Sequence, residues 1–527
     1  MKRIFLLPLL TAGLGVFAQK NDASKFASVI TGDALKSHLT IIAGDDMQGR
    51  ETGTEGQRKA AAYIESQFKK MGLKSPEALK GYQQFYPLFQ DSMISSKLSI
   101  NGKELGFETD YIIPASSNDK QGFNSDEVVF VGYGIEDSLY NDYGDLDVKG
   151  KTVVFFLGEP KLDGKYIITG TNRSSEWTFP GLPRKLALAA RKGAVGALII
   201  SSTLETINHQ SAESSKKTNL YFPRVKERVV NYASLSHSGA KEILGSDADS
   251  LLSTSKGNKP FSKDQIVSRK AKLEYRYDEY RNTVNASNVL GVIEGTDKKS
   301  EYVFVTGHYD HLGMRNGKIY YGADDDGSGT VAVLQMAEAF AKAKAAGKGP
   351  RRTMVFMTVS GEEKGLWGSE YYSDHPVFPL DKTSVDLNID MIGRVDTERM
   401  LADTLNYVYV VGHDKLSSDL PVINEGANKT YTNLTLDYKF DDPNDKERIY
   451  FRSDHYNFAR KGVPVLFFYD GMLKADYHKP TDTVDKINWQ LYETRARMIF
   501  YTAWEIANRD AMLKRDIPLP ASAMNGR

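Results

Sequence analysis

The stretch Tyr302-Val303-Phe304-Val305-Thr306-Gly307-His308-Tyr309-Asp310-His311 decides the fold. Its first half is an apolar run with no polar face, the pattern of a strand buried on both sides. Its second half turns abruptly to side chains that bind metals or move protons. Outward from it, Gly322-Ala323-Asp324-Asp325-Asp326-Gly327-Ser328-Gly329 leads into an Ala-rich helix expected over residues 330–346. Further apolar strands are expected at 353–359, 385–389, 407–411 and 465–469, and a closing helix over 487–512. Strands alternating with helices predict an α/β fold, a mostly parallel mixed sheet flanked by helices.

On the N-terminal side a helix is expected from Asp33, with Leu35, Leu39 and Ile42 on one face. A second places Ala60, Ala61, Tyr63, Ile64 and Phe68 inward and stops at Gly72. Between residues 82 and 270 the texture changes to short β-like runs among Gly-Asp-Asn turns, with one helix over 186–192. No cluster of ligand-type residues stands out in this β-rich module. The expected layout is a signal peptide (1–18), the N-terminal part of the main domain (19–120), an insert (121–270) and the rest of the main domain (271–527).

A chain of 527 residues is too long for one ordinary core. Its 68 basic and 68 acidic residues balance to a formal net charge of zero, which gives no reason to expect a nucleic-acid or membrane-surface partner. Lys2 and Arg3, the apolar run from Ile4 to Phe17, and Ala18-Gln19 read as a cleavable secretory signal, so a secreted or periplasmic protein is expected. An uncleaved anchor is the alternative, but the run is short for a membrane span, and no stable membrane insertion is expected. There is no cysteine, which excludes disulfides, thiolate metal sites, a cysteine nucleophile and a lipid anchor on Cys. Any metal must be held by His, Asp and Glu.

Five places put such residues at the carboxyl ends of expected strands or in turns beside them, where open α/β sheets bind ligands. His308 and Asp310, two apart, face the same way, and Asp310 suits the acceptor that a ligating His needs on its other nitrogen. Asp324, Asp325 and Asp326 repel one another unless a cation or a helix N-terminus neutralises them. Glu362 and Glu363 follow a strand and point differently, so one suits a metal and the other a general base. Asp390 closes a strand as a cap or a ligand, and His478 lies in a turn. Each also has a plain structural reading, as a polar strand end, a helix cap or a charged loop. Together they suit a pair of metal ions, and imidazole with carboxylate favours zinc. Neither an HExxH helix nor a GxSxG elbow occurs.

The segments TGHYDH, GADDDGSG, SGEEKGLWGSEYY, LNIDMIGR, RSDHYNFARKGVPVLFFYDG and YHKPTDT resemble, in this order, the co-catalytic di-zinc aminopeptidase family, which also contains glutamate carboxypeptidase and the glutaminyl cyclases. The resemblance implies the zinc exopeptidase fold and two zinc ions per chain. It assigns His308 and Asp390 to one zinc, Glu363 and His478 to the other, and Asp325 as the bridge, with an unusual cis link between Asp325 and Asp326. It makes Glu362 the general base and Asp310 the orienter of His308. It implies peptide substrates, with the free α-amino group near a zinc and acidic side chains. DYGDLDVKGKTVVFF and RKLALAARKGAVGALIIS resemble the protease-associated domain inserted in many members, which has no chemistry of its own. His455 reads as a packed or substrate-lining residue, and Arg394 and Arg452 either hold a substrate carboxylate or pair with nearby acids.

Three other readings remain open at this level: a carboxypeptidase or dipeptidase of the same fold, a one-zinc glutaminyl cyclase, and a non-catalytic binding homologue. The full ligand set with Glu362 argues for two metals and hydrolysis. Nothing in the sequence fixes the oligomeric state or the side chain preferred at the cleaved residue.

Overall fold

The computed structural model describes residues 22–115, 122–201, 205–224, 229–400 and 403–521. The expected signal segment lies outside them. The chain divides into two compact units, one of Met1–Pro87 with Asn285–Arg527 and one of Leu88–Val284. The insert boundaries expected at 121 and 270 fall inside the second unit.

In the first unit the sheet order is Thr435–Asp437, Tyr407–Val411, Val465–Tyr469, Thr383–Ile389, Lys298–His308 and Arg352–Val359, followed by the final residues, Val289 to Ile293, of the strand Ser268–Ile293. The four strands from Val465–Tyr469 to Arg352–Val359 are mutually parallel. Tyr407–Val411 and the strand ending at Ile293 pair antiparallel. This is the mostly parallel mixed sheet expected from the apolar runs.

Both faces of the sheet are covered, which is why its strands carry no polar face. Val303 and Val305 pack in the larger core with Val333 and Phe340 of the helix Gly329–Ala345 and Phe500 of the helix Trp489–Asn508. Phe304, between them in sequence, faces the other way, 5.6 Å from the rings of both Tyr372 and Phe458. The helix Gly32–Ile42 buries Leu35, Leu39 and Ile42, and the helix Glu55–Lys70 buries Ala60, Ala61, Ile64 and Phe68. Side-chain hydroxyls of Thr31 and Thr54 cap their N-termini.

The second unit has its own core. Phe123–Phe130, Thr152–Phe156, Gly196–Ile200 and Tyr232–Leu235 run parallel in that order, and Tyr111–Ile112 closes one edge antiparallel. The module is less purely β than expected: beside the helix Leu182–Arg191 it holds His209–Ser215, His237–Leu244 and Ala248–Lys256. The signals for the last two were present. Ser236 caps the first by accepting from the Gly239 amide, and Ala240, Ile243, Leu244, Leu251 and Leu252 are spaced to bury one side.

Candidate metal centre

Four parallel strands bring their carboxyl ends to one edge of the first unit's sheet. His308 ends Lys298–His308, and Glu362 and Glu363 follow Arg352–Val359. Asp390 follows Thr383–Ile389, and His478 lies on the loop after Val465–Tyr469. Asp325 sits on the loop before the helix Gly329–Ala345, and the peptide joining it to Asp326 is cis.

These residues meet. The Nε2 of His308 is 3.3 Å from Asp325 Oδ1 and 3.6 Å from Asp390 Oδ1. The Nε2 of His478 is 3.2 Å from Asp325 Oδ2 and 2.9 Å from Glu363 Oε2. The two oxygens of Asp325 therefore face two different imidazoles, each with a second carboxylate beside it. Ligand atoms about 2.0–2.2 Å from a tetrahedral zinc stand roughly 3.3–3.6 Å apart, close to these spacings. The inward nitrogens of His308 and His478 and the Oδ2 of Asp325 are buried without a hydrogen-bond partner. Orphaned polar atoms pointing at one another are what a cation site requires.

The field in the pocket asks for positive charge. Burial opposes a charge on His308, but Asp390, Glu362, Asp310 and Asp325 together raise its pKa well above the ordinary value. His478 behaves alike, pushed up to about 10 against its burial by Asp325 and Glu363. Burial also opposes ionisation of Asp325, yet the two imidazoles hold its carboxyl well below the usual range. A divalent cation beside each His would supply this charge without protonating the ligands.

The three adjacent aspartates differ in what they hold. Asp326 Oδ2 accepts the His308 amide at 3.0 Å, and its Oδ1 accepts those of Gly329 and Met391 at 2.8 and 2.9 Å. Asp324 Oδ1 accepts the Gly393 amide at 2.8 Å. Both tie the loop to the sheet edge, leaving Asp325 to face the imidazoles. Although Asp326 lies near His308 and Asp390, its oxygens are already committed to amides.

Glu362 stands at the open side, its side chain 12% exposed and its Oε2 3.9 Å from His308 Nε2. Burial pushes its carboxyl well above the usual range, with Asp390 and Glu363 adding to the effect and His308 opposing it. Asp310 acts through two groups: its backbone carbonyl is 3.1 Å from His308 Nδ1, and its carboxylate is 3.6 Å away. That carboxylate also accepts the Glu362 amide at 3.2 Å and the Thr52 hydroxyl at 2.7 Å, so it orients the base as well as the imidazole.

Sequence reasoning missed several contributors. His311, fully buried, places Nδ1 2.7 Å from Glu363 Oε1. It sits three residues beyond His308 in the segment already singled out, which was the available signal. Asp454 was not missed, since Ser453-Asp454-His455 resembles a segment that lines the site in the family; it is fully buried, is raised by burial to about 7 and takes the Ser369 hydroxyl at 2.5 Å. Arg50, from the loop between the first two helices, is fully buried and donates to the carbonyls of Tyr321, Gly322 and Asp325 at 2.5, 2.6 and 3.3 Å. His455 is a packing residue, stacked on Phe467 and edge-on to Tyr450, with burial lowering its pKa to about 3. Arg394 pairs with Asp476 at 2.9 Å. In the second unit Glu108, His209 and Glu213 do cluster, against expectation, but Lys216 pairs with both glutamates at an exposed surface.

Residues 288–503 match the model of peptidase family M28. A probable leucine aminopeptidase of Arthroderma otae is 30% identical over 227 residues, covering 42% of this chain and 57% of that protein. The aminopeptidase YwaD of Bacillus subtilis is 24% identical over 241 residues, covering 43% of this chain and 46% of its own length. The chain thus spans about half the length of these curated relatives. An aminopeptidase from Aneurinibacillus sp. strain AM-1 aligns over 94% of this chain and 99% of its own, at 18% identity and a TM-score of 0.50, a likeness of fold.

Proposed function

We propose that this chain, whose residues 288–503 match the model of peptidase family M28, is a zinc-dependent aminopeptidase, which removes the N-terminal residue of peptides by hydrolysis. The observation that carries the reading is Asp325, whose two oxygens lie 3.3 and 3.2 Å from the inward nitrogens of two different histidines. In this reading His308 and Asp390 hold one zinc, Glu363 and His478 hold a second, and Asp325 is shared. Zinc bound there supplies Lewis acidity, polarising the scissile carbonyl and making water an effective nucleophile near neutral pH.

The chain's own residues do the rest. Glu362, hydrogen-bonded through its amide to Asp310, accepts a proton from the attacking water on its carboxylate and returns it to the departing amine. Asp310 fixes the tautomer and the plane of His308. In this reading the substrate's free α-amino group sits near a zinc and the acidic side chains of the site.

Export belongs to the same reading: the basic start and apolar run of residues 2–17 address the chain to the periplasm or the exterior. The second unit is read as a protease-associated-like module, with no chemistry of its own assigned to it. No helix among the described residues is long and apolar enough to cross a membrane.

A panel of aminoacyl-p-nitroanilides, assayed with and without a chelator and beside Glu362→Gln, tests the proposal. The chelator abolishes turnover, and the variant loses about 10²–10⁴-fold in kcat while keeping its zinc. Near-normal turnover by the variant would show that Glu362 is not the base.

A further inference from the structure

Beside the proposed metal centre, within the first unit, lies an open pocket lined by groups of both charges. Asp325, Glu362 and Asp390 supply its carboxylates. Met391, Ile449, Phe467 and Leu473 form apolar walls, and Arg452, Tyr469 and Tyr477 complete the lining.

Two polar groups in it lack the partners that burial calls for. The half-buried Arg452 guanidinium has no carboxylate within 4.0 Å among the described residues; its polar contact is the Tyr477 hydroxyl at 3.1 Å. Its neighbour Arg394, by contrast, is paired with Asp476. Tyr469 is 3% exposed, and its hydroxyl is buried without a hydrogen-bond partner. Burial raises the Tyr469 phenol well above its ordinary range, so the hydroxyl keeps its proton and remains a donor.

We propose that this pocket takes the side-chain carboxylate of an acidic N-terminal residue, aspartate or glutamate, on the Arg452 guanidinium and the Tyr469 hydroxyl. The inference rests on the aminopeptidase reading and adds the substrate class. The charges lining the pocket support it: the carboxylates suit the α-ammonium group, and the Arg452 guanidinium suits an acid a few bonds further on. A guanidinium and a phenol hydroxyl together match a carboxylate's two oxygens. An N-terminal leucine in the same place would leave Arg452 dehydrated and unpaired, a cost that an acidic side chain removes.

Arg452 also lies 5.7 Å from the Tyr477 ring, which stacks on His478 at 3.8 Å. A purely positioning role through that stack would affect all substrates alike, so the test is a ratio. The zinc-loaded full chain and its Arg452→Met, Arg452→Lys and Tyr469→Phe variants are assayed on Glu-, Asp-, Gln- and Leu-p-nitroanilide, and on N-acetyl-Ala-Glu, whose carboxylates all belong to its C-terminal residue. The expected result is kcat/KM for Glu or Asp at least about tenfold above Gln and Leu. The Glu/Gln ratio falls about tenfold or more in Arg452→Met, falls less in Arg452→Lys, and falls several-fold in Tyr469→Phe, which removes one oxygen from an otherwise unchanged ring. Leu or Gln turned over as well as Glu, or a Glu/Gln ratio unmoved by both Arg452→Met and Tyr469→Phe, overturns the proposal while leaving the aminopeptidase reading intact. Cleavage of N-acetyl-Ala-Glu with no aminoacyl-p-nitroanilide turned over overturns both.

Discussion

Asp324, Asp325 and Asp326 share a residue type and a loop, yet hydrogen bonding gives them different work. Two secure backbone amides, and the third is left to face two imidazoles. The same logic assigns His311 a supporting part. Its Nδ1 lies 2.7 Å from Glu363 Oε1, the oxygen of Glu363 that does not face His478. His311→Gln is expected to weaken zinc retention about 10–100-fold in a chelator competition, because partners that orient a ligand are worth about that much. Retention equal to that of the unaltered chain would show that Glu363 needs no such support. This pair was not legible in the sequence: Glu363 is far along the chain, and only the parallel pairing of Lys298–His308 with Arg352–Val359 brings it beside His311.

At the scale of elements, strand ends do the positioning, and a loop from the N-terminal segment braces them. The strands were legible because burial on both faces leaves an apolar run that needs no alignment to see. The residues that follow each run were legible as chemistry for the same reason, since polar side chains at the end of a buried strand stand out. The brace was not. Arg50 and Thr52 read as ordinary polar residues in a Gly-rich turn, while their partners Tyr321, Gly322, Asp325 and Asp310 lie more than 250 positions away. Arg50→Met would take a donor from four carbonyls, those of Ile42, Tyr321, Gly322 and Asp325, and remove a buried positive charge from beneath the acidic loop. It is expected to cost about 3–5 kcal/mol, read as a lower urea midpoint with an unchanged slope. A shift of less than about 0.5 kcal/mol would mean that the loop carries its own stability.

At the scale of the molecule, each unit has a separate core, and the second one carries a titration signature. Lys185 is fully buried, its Nζ 2.5 Å from the Gly158 carbonyl, and burial lowers its pKa from 10.5 to about 7 against the pull of Asp142 and Glu159. Between about pH 7 and 10.5 the folded lysine is neutral while the unfolded one is still charged. Unfolding takes up a proton in that window, so this group makes stability rise with pH there, and below pH 7 its contribution is flat. Lys185→Met should remove that slope from calorimetric melting curves of the full chain; identical pH profiles would contradict the lowered pKa. The unit's extent was only partly legible, because its edge strands Tyr111–Ile112 and the start of Ser268–Ile293 pair across long sequence gaps. The proposed pair of zinc ions is also a property of the whole chain, and its stoichiometry is the most direct test of the account. Purified full-length protein, loaded with zinc and dialysed, is expected to retain about two equivalents per chain by elemental analysis, against fewer in Asp325→Asn, which weakens the shared ligand of both positions. Retention of one equivalent or none, or two retained undiminished by Asp325→Asn, would contradict it.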